Sequence, residues 1–343
     1  MPSYDSSSPR ARFLASIVRR SGGRPPVGSP TSVTTVEQME ATGAAFPDAH
    51  LDGVTMARLA AAAHTILGYD AIMPIFSVVQ EAAALGAEID WGDRDTMPTV
   101  RAPLWDDPDA VCIPADFIER PPIRAALDAI GILRAEYGDR VAIVGKVMGP
   151  WTLAYHVVGL QPFLMDTLLA PERVRAFLAR LKEVTLRFAR AQIDAGVDLL
   201  CLADHATGDL VSSAMYRDFL QPVHRELVAA LDIPIVLHIC GNTLDRIPAI
   251  ADAGFSAFHF DSRVDAYDAV RAAAGRMALV GNVNNSEVLL DGTPAMVEEV
   301  TRYARDAGVQ VLGPECAVPL HTPVENLRAI ARAVEVQDGP HLS

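Results

Sequence analysis

The stretch Leu237-His238-Ile239-Cys240-Gly241-Asn242 ends an apolar run, residues 233–239, that reads as a β-strand. In an extended chain residues i and i+2 point the same way, so the His238 ring and the Cys240 sulfur can meet one ion. Cys316, within Gly313-Pro314-Glu315-Cys316-Ala317, directly follows the last apolar run of the chain. If both runs are strands of a parallel barrel, all three side chains stand at its C-terminal mouth, where barrel enzymes keep their chemistry. One imidazole and two thiolates suit Zn²⁺, and three protein ligands leave a fourth position open for a substrate. The competing reading is plain packing, because His-x-Cys is a short pattern and a buried Cys serves as a small hydrophobe. Spacing alone leaves both open, and the strand-end placement favours the metal.

Those side chains need strands to carry them. Short apolar, β-branched runs recur at residues 141–147, 197–202, 233–239, 255–260, 277–281 and 309–313, and weaker ones at 26–34 and 70–76 complete a set of eight. Their near-continuous apolar character fits parallel strands covered on both faces. Segments with helical periodicity lie between them, at 55–68, 118–137, 171–195, 212–231, 243–253, 266–274, 293–307 and 323–334. Ser212 can cap its helix, while Thr293-Pro294 and Thr322-Pro323 each put a capping hydroxyl before a proline at the first helical position. Asp-Ala-Gly recurs, ending at Gly196, Gly254 and Gly308, where a helix gives way to the next strand.

This alternation predicts an α/β fold, a (β/α)₈ TIM barrel forming a single domain over residues 25–338, with residues 1–24 as an N-terminal helix or arm. A doubly wound sheet is the other option, but neither its G-x-G-x-x-G loop nor a phosphate-cradling G-x-x-x-x-G-K-[ST] is present. Residues 91–122, rich in Asp and Pro, are too long for an ordinary strand-to-helix connection and are expected to pass over one end of the barrel.

With 343 residues, half of them hydrophobic, the chain can bury a large core. Its 43 acidic against 29 basic residues give a net charge of −14, which argues against a nucleic-acid or anionic-membrane partner. Met1 to Arg12 lacks the apolar core of a leader, and no run approaches the length of a membrane span, so a cytoplasmic protein is expected. Four cysteines are too few for a disulfide framework; Cys112 and Cys201 have no ligand-like company and read as ordinary thiols.

Further stretches carry a resemblance: AIMPIFSVVQEAAALGAEIDWG (71–92), VGKVMGPWTLA (144–154), LADHATGDLVSSAMYRDFLQP (202–222), LHICGNT (237–243), GNVNNSEVLLDGTPAMVEEV (281–300) and LGPECAVPLHTPVENLRAI (312–330). On these the chain resembles the uroporphyrinogen decarboxylase superfamily, and within it the methylcobalamin:coenzyme M and related corrinoid-dependent methyltransferases. The resemblance implies a barrel and a zinc site, with His238, Cys240 and Cys316 at the family's His-x-Cys and distal Cys positions. It also makes Glu81 a candidate fourth contact of the resting zinc, against a solvated or helix-capping carboxylate. The decarboxylases' Arg-rich, aromatic N-terminal signature is replaced here by Pro25-Pro26-Val27-Gly28-Ser29-Pro30-Thr31, and their Asp is missing from Phe76-Ser77-Val78.

The implied activity is zinc-dependent methyl transfer between a corrinoid, such as methylcobalamin or a corrinoid protein, and a small thiol such as coenzyme M. A decarboxylase, or a corrinoid- or metal-binding module without turnover, are the alternatives. No corrinoid-binding domain is recognisable in the sequence, so a separate corrinoid protein or free corrinoid is expected to supply the ring. Asp204 and His205, after the 197–202 run, are candidates for corrinoid or substrate contact, against loop hydrogen bonding. Asn282 and Asn284 end another run and suit either ligand contact or a turn. His259, alternating with Phe258 and Phe260, reads as a core histidine beside Asp261. Donor, acceptor, direction of transfer and oligomeric state are not legible.

Overall fold

The computed structural model describes residues 8–19 and 23–335. The outer parts of the expected arm (1–7 and 20–22) and the last residues of the expected barrel (336–338) lie outside the described residues. The strands are β1 (Ala71–Ile72), β2 (Ile89–Asp90), β3 (Thr99–Val100), β4 (Ala142–Met148), β5 (Leu199–Ala203), β6 (Ile235–His238), β7 (Ala257–His259), β8 (Ala278–Val283) and β9 (Val311–Pro314). Seven of them form one sheet in the order β1-β4-β5-β6-β7-β8-β9, every neighbour parallel. The fold is the expected α/β barrel, its strands buried on both faces because helices wrap the outside.

The expected strand at 26–34 is corrected: only Val27 pairs, in a parallel bridge to Leu312. Gly28 N donates to Leu312 O and Asp70 N to Val27 O, so this single rung closes the ring between β9 and β1. Three prolines, a glycine and a serine among residues 25–30 leave too few N–H donors and packing side chains to build a longer ladder. A Cβ on Gly28 would stand 2.7 Å from the Phe13 ring, a close approach that only glycine allows.

Helix Pro9–Ile17 buries Phe13 and Ile17 against the barrel end away from the ligand candidates. Arg10 reaches Asp198, just before β5, at 2.6 Å, and Arg12 reaches Asp70, just before β1, at 2.6 Å. Both carboxylates precede their strands, which places this helix under the N-terminal end.

Proline moves several helix boundaries. The expected 118–137 helix starts at Pro121, because the residue before a proline is driven out of the helical region and Arg120 is extended. The expected 212–231 helix contains a π turn, Tyr216–Leu220, two residues before Pro222; another, Tyr155–Gly159, precedes Pro162. A proline has no N–H to donate back to residue i−4, and the wider turn absorbs the missing bond. Ser212 and Thr293 cap as expected, whereas Thr322 does not: Pro323 is itself extended, the helix begins at Val324, and the Thr322 hydroxyl is buried without a partner.

Residues 91–122 cross the C-terminal end as expected, beginning in the turn between β2 and β3 and continuing through two short 3₁₀ turns. Leu104 N and Trp105 N both donate to Val157 O, which fastens this excursion to the π turn after β4. Among the described residues no helix is long and apolar enough to cross a membrane.

Candidate metal centre

His238 is the last residue of β6, Cys240 lies two residues beyond, and Cys316 lies two beyond β9. The Cys240 sulfur is 3.1 Å from His238 Nε2 and 3.0 Å from the Cys316 sulfur, which is 3.4 Å from the same nitrogen. This separation is far beyond a disulfide bond of about 2.05 Å. It falls within an ångström of the roughly 3.8 Å edge that two sulfurs share around a tetrahedral zinc. The set is the one metal-capable group of His, Cys and carboxylate side chains among the described residues.

Electrostatics supports the same reading. The Cys240 thiol donating to the Cys316 sulfur holds Cys316 well below the usual thiol range and pushes Cys240 up. Two sulfurs this close cannot both ionise unaided, and a divalent cation would take the place of the shared proton. The donor chemistry fits Zn²⁺: one imidazole, two sulfurs and a fourth position left to a substrate.

The loops that carry the ligands are tied to their neighbours. Gly241, at φ 80°, turns the chain directly after Cys240, and its N–H donates to Asp261 Oδ2 at 2.8 Å. Glu315, beside Cys316, accepts from Asn285 N at 2.7 Å and from Ser262 N at 2.9 Å, joining the loops after β7, β8 and β9. Sequence reasoning missed Glu315; its only signal was a carboxylate next to the distal cysteine. His259 is the core histidine expected: its Nε2 donates to Pro314 O at 2.8 Å, and its ring lies 4.5 Å from that of His238.

The other candidates separate by what they touch. Glu81 is outside the three-atom group; it is buried, its Oε1 accepts from Met148 N at 2.8 Å, and burial pushes its carboxyl up to about 7. Asp204 is also buried, with Oδ1 accepting from Thr152 N at 2.7 Å and Oδ2 pairing with His224 Nε2 at 3.0 Å. His224 Nδ1 in turn meets the Tyr216 hydroxyl. That network gives Asp204 the loop role weighed against ligand contact. Asn282 binds Val264 O and Asn284 binds Ser262 Oγ, so both amides hold loops. His205 differs: its backbone N–H is held by Thr152 Oγ1, no hydrogen bond of its ring is formed among the described residues, and burial, then His238, lowers its pKa. Cys112 is exposed and Cys201 buried, its thiol pushed up to about 12 by burial; neither joins the group.

Comparison with known proteins gives consistent findings. The sequence pattern of the uroporphyrinogen decarboxylase (URO-D) family matches residues 8–336. A methylated-thiol–coenzyme M methyltransferase from Methanosarcina mazei is 33% identical, over 95% of this chain and 89% of its own length. A methylcobamide:CoM methyltransferase from Methanosarcina barkeri is 32% identical, over 94% of this chain and 96% of its own. The solved structure of a methyltransferase from Methanosarcina mazei superposes with a TM-score of 0.92 at 30% identity, covering 96% of this chain and 98% of that one.

Proposed function

The chain belongs to the uroporphyrinogen decarboxylase family, and on that premise we propose that it is a corrinoid-dependent methyltransferase moving a methyl group between a corrinoid and a small thiol such as coenzyme M. The observation that carries this reading is the convergence of His238, Cys240 and Cys316 on one point at the barrel mouth. Zinc held by these three would bind the substrate sulfur and keep it as thiolate at neutral pH.

The chain's own residues then have limited tasks. Two cysteine thiolates match the charge of a divalent ion, so an added thiolate keeps its negative charge and its nucleophilicity. Asp261 and Glu315 fix the loops that aim the two sulfurs, and the excursion over residues 91–122 walls one side of the mouth. In the direction that forms a thioether, the sulfur bonds to the methyl carbon, the carbon–cobalt bond breaks, and its electron pair stays on cobalt, which passes from +3 to +1. Holding both partners in line at the open mouth supplies much of the rate.

The ring is proposed to come from outside, because the one Asp-x-His-x-x-Gly stretch, Asp48 to Gly53, has its His50 fully buried and stacked on Phe46, closed to a corrinoid. A separate corrinoid protein is the proposed donor, a reading supported by the methylcobamide:CoM methyltransferase names of the relatives. The test is metal content, followed by loss of methylcobalamin absorbance on adding coenzyme M. About one zinc per chain, absent from Cys240→Ala, with methyl transfer lost alongside it, is expected. Coproporphyrinogen formed from uroporphyrinogen, without methyl transfer, would replace this function by decarboxylation. Bound zinc without either reaction would leave a binding module.

A further inference from the structure

A lysine stands inside the barrel below the metal-capable group. A Cβ on Gly145 of β4 would meet Gln192 Oε1 at 2.5 Å and Val197 Cγ1 at 3.1 Å, and Gln192 lies on the outer helix Pro171–Ala195. Gly145 therefore faces outward, and strand alternation turns Lys146 inward. Register fixes its height: Lys146 pairs with Cys201, Met148 with Ala203, and Ala203 with His238. Lys146 thus occupies the rung two residues, about 7 Å, below that of His238.

The surrounding wall holds this cation loosely among the described residues. Lys146 is 3% exposed. Its ammonium has three donors, and among the described residues one hydrogen bond is formed, to Phe76 O at 3.4 Å, near the outer limit of such a bond. Burial lowers its pKa to about 8, opposed by Cys201, Glu81 and Cys316, so it keeps its proton at neutral pH. A buried charge held so weakly by hydrogen bonds is destabilising unless an opposite charge compensates it. Around it stand Glu81 from helix Gln80–Leu85, Cys201 from β5, His205 from the loop after β5, His50 from the turn Asp48–His50, and Cys316 beyond β9. Of these, Cys201 is neutral and Glu81 is already tied to Met148 N, so the ligand group above is the partner whose charge changes when a thiol binds.

Charge counting then assigns the role. A divalent ion with two cysteine thiolates and a neutral imidazole sums to zero, and a substrate thiolate makes the group −1. We propose that Lys146 is a positioning residue whose buried ammonium offsets the negative charge that a bound thiolate adds to the His238–Cys240–Cys316 centre. The inference rests on the methyltransferase reading, because only an anionic substrate sulfur creates that charge.

The test uses Co²⁺ in place of zinc, with coenzyme M as the thiol, and follows the sulfur-to-cobalt absorption band through the neutral pH range. Two rungs of rise and two strand spacings put the charge about 12 Å away, and at an effective dielectric of about 20 it changes thiolate binding by about tenfold. Lys146→Met is therefore expected to raise the pH midpoint of thiolate ligation by about one unit, with affinity at pH 7 falling about tenfold. Lys146→Arg, which keeps the charge, is expected to stay near the parent. An unchanged midpoint in Lys146→Met overturns the inference, and so does an Arg variant shifted as far as the Met variant, which would mark packing rather than charge. A parent protein that binds Co²⁺ but no thiol, or no Co²⁺ at all, overturns the methyltransferase reading first and this inference with it.

Discussion

Cys240 and Cys316 are 76 positions apart in the chain and 3.0 Å apart in space, so each is useful only if both loops are held. Cys316→Ala should remove most bound zinc and all methyl transfer while the far-ultraviolet circular dichroism stays that of the parent; retained zinc would move the centre elsewhere. Glu315→Gln is a subtler change. Its amide keeps the size but can accept only one of the two backbone N–H bonds, from Ser262 and Asn285, that the carboxylate takes. Zinc affinity should fall roughly 10- to 100-fold, as for other groups that orient a ligand, and chelator competition reads it. Glu81→Gln should leave the zinc in place and change thiol affinity; unchanged thiol kinetics would reduce Glu81 to the acceptor of Met148 N. The ligands were legible in sequence because strand alternation converts His-x-Cys into shared direction. Glu315 and Lys146 were not, because a single carboxylate in a loop and a single lysine in an apolar strand have no spacing to reveal them.

Asp204 shows why an element's end and a site are hard to tell apart in sequence. It follows β5 at the mouth, where a ligand contact would also sit, yet its carboxylate accepts the Thr152 N–H in the first turn of helix Pro150–Ala154. That turn has no intrahelical acceptor for its N–H groups, and a carboxylate there also suits the helix dipole. Gly149 makes room, since a Cβ would lie 2.2 Å from the Asp204 carboxyl carbon. Asp204→Ala would leave the Thr152 N–H and His224 Nε2 without partners in the interior, a loss of about 3 kcal/mol, measurable by denaturant unfolding. A change below about 1 kcal/mol would show that water replaces the carboxylate. The central strands were legible because they are continuous apolar runs, whereas the Val27 rung, set among prolines and serines, lacks that pattern and is held by Leu312 and Asp70 from far along the chain.

Across the whole molecule, buried histidines set the response to acid. His50 is stacked on Phe46 with ring centroids 4.1 Å apart, and neither of its ring nitrogens has a partner. Burial, then Lys146, lowers its pKa from 6.5 to about 3. Burial and His205 lower that of His156 to about 4. Above pH 6.5 these rings are neutral folded or unfolded and contribute no pH dependence. As pH falls from there toward the folded values, the unfolded chain takes up protons that the folded chain refuses, so stability is lost. Glu81 acts in the opposite sense, since its folded pKa is raised to about 7: between 4.5 and 7 the folded state holds the extra proton and gains stability on acidification. Comparison with one variant isolates a single ring. His50→Phe keeps the stacking and loses no side-chain hydrogen bond, so its stability relative to the parent should grow by about 1.4 kcal/mol for each pH unit below 6.5. Parallel curves for parent and variant between pH 6.5 and 4.5 would mean that His50 accepts its proton in the folded state, which requires the cluster of Phe46, Phe76 and Trp91 around it to open to water.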